Sequence, residues 1–253
     1  MDNLKDKVAV ITGGNSGIGY AAAKQLKEQG AKVIITGRRK EAIEKAALEL
    51  GVTAITADQA IVSDIEGLAL KVKQDFGKVD ILFINAGIAG LGNIEQASEE
   101  QFDNIMNVNL KGAYFTLSRF IPILKDGASV VFLSSNTASM PGPGSSVYSA
   151  SKTALNSIMK SAALELAPRK IRVNSVSPGP TQTEVMKKVG LDEATVNGIM
   201  DIVVEKVPLK QMGKSEDVAK MVSYLSSEAA KFITGADFIM DGGMVLALSL
   251  IHI

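Results

Sequence analysis

The sequence predicts a single α/β domain, built as a doubly wound parallel sheet of about seven strands with helices on both faces. Short β-branched apolar segments alternate with amphipathic segments along the chain, which is typical of parallel strand–helix–strand units. The strand segments are almost continuously apolar, as expected where helices cover both faces of a sheet. No linker, repeat or low-complexity tract interrupts the 253 residues, so one domain covers positions 1–253.

In the first half of the chain, four predicted strands alternate with three predicted helices. Gly30 follows the first helix directly, at the position where glycine commonly ends a helix. Strands are predicted at 8–12, 32–36, 52–57 and 81–84, and helices at 20–29, 40–50 and 63–76.

The second half continues the alternation with longer helices. Asn109 lies in the middle of the first of these, and the second carries Tyr148 and Lys152 before it ends near Pro168. Helices are predicted at about 99–124, 147–168, 181–208 and 217–225, and strands at 129–133, 171–176 and 238–240.

The composition argues against several kinds of protein. Lys plus Arg and Asp plus Glu both count 27, so the formal net charge is +0, which disfavours nucleic acid or an anionic membrane as the main partner. The absence of cysteine and the single histidine, His252, argue against thiol catalysis, disulfides and a metal site. Neither a secretion signal nor a bilayer-spanning apolar run is visible, so a soluble cytoplasmic protein is expected.

A glycine-rich turn separates the first strand from the first helix, with the spacing Gly13-x-x-x-Gly17-x-Gly19. Glycines let a backbone approach a pyrophosphate closely, and a helix N-terminus adds free N–H groups and the positive end of its dipole. The alternative is a plain tight turn, but the strand–turn–helix context favours a phosphate site. The residues predicted to form it are Gly13, Asn15, Ser16, Gly17, Ile18 and Gly19.

The end of the second strand indicates which nucleotide is bound. It reads Thr36-Gly37-Arg38-Arg39, with no carboxylate where one would hold a ribose 2′-hydroxyl. A carboxylate would repel a 2′-phosphate, whereas an arginine can bind it through two charge-assisted hydrogen bonds. The sequence therefore predicts NADP(H), with Arg38 and Arg39 near the phosphate. The alternative is that both arginines cap the second helix and face water.

Two further segments are expected beside the cofactor. Asp58, at the end of the third strand, could accept a hydrogen bond from the adenine amino group. Asn85-Ala86-Gly87, after the fourth strand, is a second turn at which the backbone could approach the cofactor closely.

Tyr148 and Lys152 form a candidate acid–base pair. They are four residues apart in a predicted helix and therefore share one of its faces. A tyrosine pKa of about 10 is too high for ready proton exchange at neutral pH, and a nearby cation lowers that pKa by stabilising the phenolate. Such a pair suits proton transfer at a carbonyl or an alcohol, although the same spacing also occurs on helices without a catalytic role.

Taken together, these motifs resemble the short-chain dehydrogenases/reductases. They occur in the order and spacing of that family: Thr12-Gly13-x-x-x-Gly17-x-Gly19, Asn85-Ala86-Gly87, Asn109, Ser135, Tyr148-x-x-x-Lys152 and Pro178-Gly179-x-x-x-Thr183. The resemblance extends from Leu4 to about Met244 and implies a Rossmann-type fold and an oxidoreductase that transfers a hydride between NADPH and a carbonyl or alcohol. The Tyr–Lys spacing disfavours the enoyl-reductase branch. Ser16 stands where many NADP-dependent relatives carry a basic residue, which leaves Arg38 as the main determinant.

The resemblance also implies a role for each site residue. Tyr148 would be the acid/base, and Lys152 would lower its pKa and bind the nicotinamide ribose. Ser135 would hydrogen-bond the substrate oxygen; Ser134 is the neighbouring candidate, but Ser135, thirteen residues before Tyr148, has the family's spacing. Asn109 would hold a water on a proton path, or it could be a buried asparagine that bends its helix. The residues implied at the nicotinamide are Pro178, Gly179, Thr181 and Thr183.

A lid over the substrate is predicted at about 182–208. It contains Met186 among several apolar residues, and Met140 is expected on the opposite wall, beside Ser135 and Tyr148. A methionine-containing apolar wall suits an adaptable, mainly hydrophobic carbonyl or alcohol substrate. The same residues could instead only pack the lid onto the core, and the sequence does not identify the substrate.

The sequence leaves other functions open. A 3-oxoacyl-carrier-protein reductase would need a basic docking patch, for which Arg119, Arg169 and Arg172 are candidates, although they could be structural. A non-catalytic NADP(H)-binding regulator on the same fold would have no need of the acid–base pair, and a reductive partner in a larger complex is a third reading. The resemblance further implies a homotetramer formed by the helices that begin near 99 and 147, and the apolar tail 245–253 should be buried.

Overall fold

The computed structural model describes residues 4–90, 92–182 and 193–248, and its core is one parallel sheet. The strands are β1 (Val8–Thr12), β2 (Lys32–Gly37), β3 (Thr53–Thr56), β4 (Val79–Ile84), β5 (Leu124–Leu133), β6 (Arg172–Pro178), β7 (Thr181–Gln182), β8 (Gly213–Lys214) and β9 (Asp237–Met240). Seven of them form the sheet, in the order β3-β2-β1-β4-β5-β6-β9, while β7 and β8 pair separately. The predicted doubly wound sheet of about seven strands is confirmed.

Helices cover both faces of this sheet. They are α1 (Gly17–Glu28), α2 (Lys40–Leu50), α3 (Val62–Phe76), α4 (Glu99–Met106), α5 (Ala113–Phe120), α6 (Ser146–Leu166), α7 (Glu193–Glu205), α8 (Ser215–Ser226) and α9 (Met244–Leu248). Two buried clusters fill the two interfaces, one beneath α3, α5 and α6 and the other beneath α1, α2 and α8. Successive residues of β1 alternate between the clusters, which explains why its sequence is continuously apolar.

The strand order creates a crevice at one edge of the sheet. From β1 the chain proceeds outward through β2 and β3, and from β4 it proceeds in the other direction through β5 and β6. The loops that leave the carboxyl ends of β1 and β4 therefore diverge. Such a switch point is where open α/β sheets bind their ligands.

The predicted helix over 99–124 is shorter and less regular in the structure. It consists of α4, a π-helical segment at Asn107–Gly112, and α5, which ends at Phe120. Pro122 lies in the 3₁₀ turn Ile121–Ile123 that follows, because proline cannot donate a helical hydrogen bond. The next strand begins at Leu124, so the last predicted turn of helix is wrong.

The predicted helical region 181–208 is only partly helical. It begins with the two-residue strand β7, and its described helix is α7. Residues 183–192, which include Thr183 and Met186, and the tail residues 249–253 lie outside the described residues. In the part of the chain that is described, no helix combines the length and the apolar character needed to cross a membrane.

Candidate active site

The glycine-rich turn after β1 is held in place by the end of β4. Thr12 Oγ1 accepts from the backbone N–H groups of Asn85 and Ala86, both at 3.0 Å. The Asn85 amide in turn donates to the carbonyls of Thr12 and Gly13 at 2.8 and 3.0 Å. Gly19 packs so closely that a Cβ there would collide with the Gly13 carbonyl oxygen. A compact glycine-rich turn therefore lies directly at the switch point.

A cleft of about 310 Å³ opens beside this turn and has the dimensions of a ligand site. The first residues of α1 lie in its wall, so the amino end of that helix faces the cleft. The structure thereby brings together the predicted nucleotide residues of the first half of the chain. They are Gly13, Asn15, Ser16, Gly17, Ile18, Gly19, Arg38, Arg39, Asp58, Asn85, Ala86 and Gly87.

Arg38 and Arg39 are exposed where β2 enters the cleft. Arg39 occupies the N-cap position of α2 but makes no side-chain cap bond. Among the described residues, neither guanidinium takes part in an ion pair. Both arginines face water, as the alternative expects, but the Arg39 side chain does not cap α2. Asp58, across the cleft, accepts from the Ala60 N–H at 2.9 Å, which fixes the turn after β3.

Ser135, Tyr148 and Lys152 meet where β5 ends and α6 begins. Ser135 lies beside the Tyr148 side chain, where a hydrogen bond from its hydroxyl lowers the pKa of the phenol. The Lys152 ammonium lies over the Tyr148 ring, 5.8 Å from its centroid, and donates to the Leu133 carbonyl at 2.8 Å. Ser134 faces elsewhere, because its hydroxyl donates to the Lys152 carbonyl at 3.3 Å. The geometry therefore favours Ser135 over Ser134 as the hydroxyl beside the tyrosine.

Burial shifts the pKa values of both members of the acid–base pair. Burial raises the pKa of the Tyr148 phenol, and the hydrogen bond with Ser135 offsets only part of that rise. Burial lowers the pKa of Lys152 to about 8, because the ammonium has lost its hydration. The expectation that Lys152 brings the pKa of Tyr148 below its usual value is wrong for this structure. The effect of burial dominates, and the ammonium donates to a backbone carbonyl.

Asn109 is buried in the π-helical segment and connects three parts of the site. Its Oδ1 accepts from the Ile88 N–H at 2.8 Å, and its Nδ2 donates to the Ile88 carbonyl at 2.9 Å and to Ser151 Oγ at 3.2 Å. A Cβ at Gly87 would lie 3.3 Å from Asn109 Oδ1 and 3.4 Å from Lys152 Nζ. The glycine thus lets the β4 turn approach both side chains. These bonds match the alternative of a buried structural asparagine.

The end of β6 forms the wall next to Ser135. Gly179 packs so tightly against Asp241 that a side chain at position 179 would collide with it. Thr181 Oγ1 donates to the Gly179 carbonyl at 3.0 Å, directly after Pro178. Met140 is half-buried on the loop after Ser135 and lies outside the lining of the nucleotide cleft. Within the described ranges, no three acidic or histidine side chains gather as they would around a metal ion.

Several cleft residues were missed by the sequence interpretation. They are mostly small or apolar residues whose position at a strand end was their only signal. Gln59 is an exception, because a polar residue directly after Asp58 could have been noticed; its amide donates to Thr116 Oγ1 at 2.8 Å. The missed residues that line the cleft are Thr36, Ala57, Gln59, Ile88, Val108 and Leu133.

Comparisons with known proteins agree with this architecture. The human dehydrogenase/reductase SDR family member 4 is 34% identical over 250 residues, which cover 96% of this chain and 88% of that protein. A short-chain dehydrogenase/reductase from Serratia marcescens has a solved structure that matches with a TM-score of 0.88 and 32% identity, over 96% of this chain and 99% of that chain. This chain belongs to the short-chain dehydrogenase/reductase family. It is an oxidoreductase with a Rossmann-type NAD(P)-binding fold.

Other relatives of this short-chain dehydrogenase/reductase carry different names. Residues 13–245 match the family described as enoyl-(acyl carrier protein) reductase. An NADP-dependent (R)-specific alcohol dehydrogenase of Lentilactobacillus kefiri is 38% identical over 252 residues, covering 96% of this chain and 98% of that protein. A versicolorin reductase of Emericella nidulans is 36% identical over 255 residues, covering 95% and 96%. Small molecules are the substrates of such enzymes, and these relatives are named for different ones.

Proposed function

We propose that this protein is an NADP(H)-dependent carbonyl reductase or alcohol dehydrogenase with Tyr148 as its acid/base. The observation that carries the proposal is the buried ammonium of Lys152 over the Tyr148 ring, 5.8 Å from its centroid, with Ser135 beside the same phenol. A protein that only senses a nucleotide has no use for a phenol, a hydroxyl and an ammonium at one point. The non-catalytic regulator is therefore the weaker reading.

The cleft suits the adenosine and pyrophosphate part of NADP(H), while Tyr148, Lys152 and Gly179 lie outside its lining. The glycine-rich turn and the amino end of α1 suit a pyrophosphate, and the exposed guanidinium of Arg38 suits a 2′-phosphate. Arg39 would add charge, Asp58 would contact the adenine, and Asn85, Ala86 and Gly87 would border the ribose and nicotinamide. At the nicotinamide we expect Pro178, Gly179, Thr181 and Thr183. When bound, NADPH supplies the hydride, and the protein supplies position and a proton.

In the reductive direction, Tyr148 gives its proton to the carbonyl oxygen while Ser135 donates a hydrogen bond to the same atom. Because burial raises the pKa of Tyr148, the phenol is protonated at neutral pH and ready to donate. Lys152 would hold the ribose hydroxyls and balance the phenolate that remains. Asn109 would keep Ile88 and α6 in register through its three hydrogen bonds and support the proton path.

The acyl-carrier alternatives find less support. The three arginines proposed as a docking patch are all engaged in structural contacts. Arg119 pairs with Glu66 at 2.9 Å, Arg169 pairs with Asp126 at 2.8 Å, and Arg172 donates to the Ser227 carbonyl at 3.3 Å. The spacing of Tyr148 and Lys152 differs from that of the enoyl-reductase branch and therefore favours a ketone over an enoyl substrate. A mainly hydrophobic ketone or its alcohol, with Met140 and Met186 near it, is the substrate class we favour.

The assembly we propose is a cytoplasmic homotetramer. The π-helical segment, α5 and α6 together border a groove of about 690 Å³ with a largely apolar wall. On the same helices Tyr114 is 50% exposed and Leu164 is 79% exposed, which is costly for a free surface. The groove is lined by Met106, Leu110, Tyr114, Ala154 and Ile158, among others.

A cofactor-oxidation assay tests the proposed function. NADPH consumption is followed with a panel of hydrophobic ketones, sugars, 3-oxoacyl thioesters and 2-enoyl thioesters, with Tyr148→Phe as the matched control. We expect turnover of one or more ketones that is lost in the variant. Exclusive turnover of an enoyl thioester, or equal rates in the wild type and Tyr148→Phe, would overturn the proposal.

A further inference from the structure

Ser135 Oγ is surrounded by three hydrogen-bonding groups, two of which belong to Thr137. The Thr137 N–H donates to it at 3.2 Å and the Thr137 hydroxyl donates to it at 3.0 Å. The third group is the Tyr148 phenol beside it, whose pKa is raised by burial and lowered in part by a hydrogen bond from Ser135. A serine hydroxyl has one proton to donate and two lone pairs that accept. Thr137 occupies both lone pairs, so Ser135 can act only as a donor, toward Tyr148 in the free site and toward the carbonyl oxygen when a ketone is bound.

Thr137 is held in this position by its surroundings. It is the middle residue of the 3₁₀ turn Asn136–Ala138, whose first residue is 5% exposed. The Ala138 N–H donates to the Ser135 carbonyl at 3.0 Å, and the Ala138 carbonyl accepts from Thr153 Oγ1 of α6, also at 3.0 Å. The turn is therefore fixed from the strand side and from the helix side, and Thr137 meets Ser135 in one geometry.

We propose that Thr137 is a positioning residue that makes Ser135 a hydrogen-bond donor and thereby keeps the proton of Tyr148 free for the substrate. The inference rests on the proposed carbonyl reduction. If Ser135 could accept, the phenol would donate to it, and the Tyr148 proton would point away from the carbonyl oxygen. Because both lone pairs of Ser135 are filled, the phenol oxygen of Tyr148 can only accept from Ser135. The proton of Tyr148 therefore remains available for the substrate.

The same arrangement serves the reaction after proton transfer. The hydride goes to the carbonyl carbon, and the proton of Tyr148 goes to the carbonyl oxygen, which gives the alcohol and leaves a phenolate. Ser135 donates to the carbonyl oxygen while charge develops there, and once that oxygen has become a neutral hydroxyl Ser135 can turn its one proton to the phenolate. A hydrogen bond to a charged group contributes more than one between neutral groups, so the transition state gains more than the ground state.

The alternative is that Thr137 only caps the short turn, and a set of matched variants separates the two roles. Thr137→Val keeps the shape and the backbone N–H but removes the hydroxyl, Thr137→Ala repeats the test with a smaller side chain, and Thr137→Ser keeps the hydroxyl. Thr234→Val is the control, because the hydroxyl of Thr234 accepts from the Val173 N–H at 3.1 Å, where β6 begins. For each variant, kcat, KM, the NADPH dissociation constant and the melting temperature are measured.

We expect Thr137→Val and Thr137→Ala to lower kcat by roughly tenfold, the effect of about one lost hydrogen bond, with NADPH affinity unchanged. Thr137→Ser should restore the rate to within about threefold of the wild type, and Thr234→Val should leave kcat unchanged. In a Ser135→Ala background, Thr137→Val should cause no further loss, because the group it orients is absent.

Equal fold losses in the two backgrounds, or a Thr137→Ser variant as slow as Thr137→Val, would show that Thr137 acts through the turn alone. A wild-type rate in Thr137→Val and Thr137→Ala would refute the inference while the proposed function stands. A wild type that reduces no carbonyl at all would remove the proposed function and this inference with it.

Discussion

The Lys152 ammonium lies over the Tyr148 ring, 5.8 Å from the ring centroid; Lys152 is buried and Tyr148 is partly buried. Burial disfavours the charged form of each, so the pKa of the phenol rises and that of the ammonium falls to about 8. Near pH 8 the group that changes its charge is therefore Lys152, and the phenol stays protonated. The order of these two titrations determines how activity and stability should respond to pH.

Carbonyl reduction should slow as the pH rises through about 8, the pKa of Lys152. Above that pH the ammonium becomes neutral and can no longer balance the phenolate left by Tyr148. The measurement is kcat/KM for a ketone between pH 6 and 10 in the wild type and in Lys152→Arg, whose guanidinium stays charged. We expect the alkaline limb near pH 8 only in the wild type. The same limb in both proteins would assign the titration to another group.

Protonated Lys152 should also lower the free energy of unfolding at neutral pH. Its pKa is about 8 in the folded state, against its usual 10.5, so the unfolded chain binds the proton more tightly. The free energy of unfolding should therefore rise between pH 8 and 10.5, by on the order of 3 kcal/mol for this one group. Lys152→Met removes that rise.

Urea unfolding at pH 7 and pH 10 measures this contribution. Lys160→Met is the matched control, because Lys160 is exposed on the same helix. We expect the stability of the wild type to increase with pH relative to Lys152→Met, and that of Lys160→Met to follow the wild type. If Lys152→Met and the wild type change in parallel, the ammonium is not held in a desolvated site.

Tyr148→Phe should abolish turnover and leave NADPH binding intact. The substitution removes the proton donor but keeps the ring, and loss of a general acid typically costs about 10²- to 10⁴-fold in rate. Single-turnover assays with a confirmed ketone, together with a fluorescence titration of NADPH, separate the two effects. A variant that keeps more than about a tenth of the wild-type rate would remove Tyr148 from the acid/base role.

Local spacing explains why much of the site could be predicted from the sequence. The glycine-rich turn, the residues after β4 and the Tyr148–Lys152 pair each depend on neighbours within a few positions, and the strand order brings them together. The π-helical segment could not be predicted, because Asn109 is held there by Ile88, twenty-one positions away. Nothing in the local apolar pattern marks that bond.

The sequence predicted a lowered pKa for Tyr148 where the structure raises it, and the reason is related. A Tyr-x-x-x-Lys spacing shows that two side chains share a face, but the degree of burial depends on everything packed around them. Likewise, Ser135 and Thr137 are only two residues apart, but this spacing alone does not bring their hydroxyls together. They are in contact because Ser135 caps the 3₁₀ turn that contains Thr137. Sequence spacing identifies which groups are close, and the packing determines their charge states and hydrogen-bond directions.

The apolar groove along α5 and α6 should be covered by a second copy of the chain in a homotetramer. Light scattering at micromolar concentration is expected to give four times the monomer mass. Ile158→Asp places a charge in the groove and should shift the protein toward smaller species, while Leu70→Asp, on an exposed position of α3, should not. A monomeric wild type, or an Ile158→Asp variant that assembles normally, would contradict this assignment.

NADPH should bind more tightly than NADH, and Arg38 should carry the difference. The end of β2 presents a glycine and an exposed guanidinium to the cleft and no carboxylate. A charge-assisted hydrogen bond to the 2′-phosphate contributes roughly 1.5–3 kcal/mol, toward the lower end here because Arg38 is exposed, and ~1.4 kcal/mol is tenfold in affinity. Arg38→Ala should therefore weaken NADPH binding by at least about tenfold and leave NADH nearly unchanged.

Two neighbouring variants identify the source of any loss. Arg39→Ala should have a smaller effect than Arg38→Ala, because two adjacent side chains seldom reach the same phosphate. Lys40→Ala removes an equal charge from an exposed position outside the cleft lining and should change neither affinity. Equal weakening in all three variants would point to general electrostatic attraction rather than to a bound 2′-phosphate. An NADH-preferring wild type would mean that the cleft accepts a free ribose hydroxyl despite lacking a carboxylate at the end of β2.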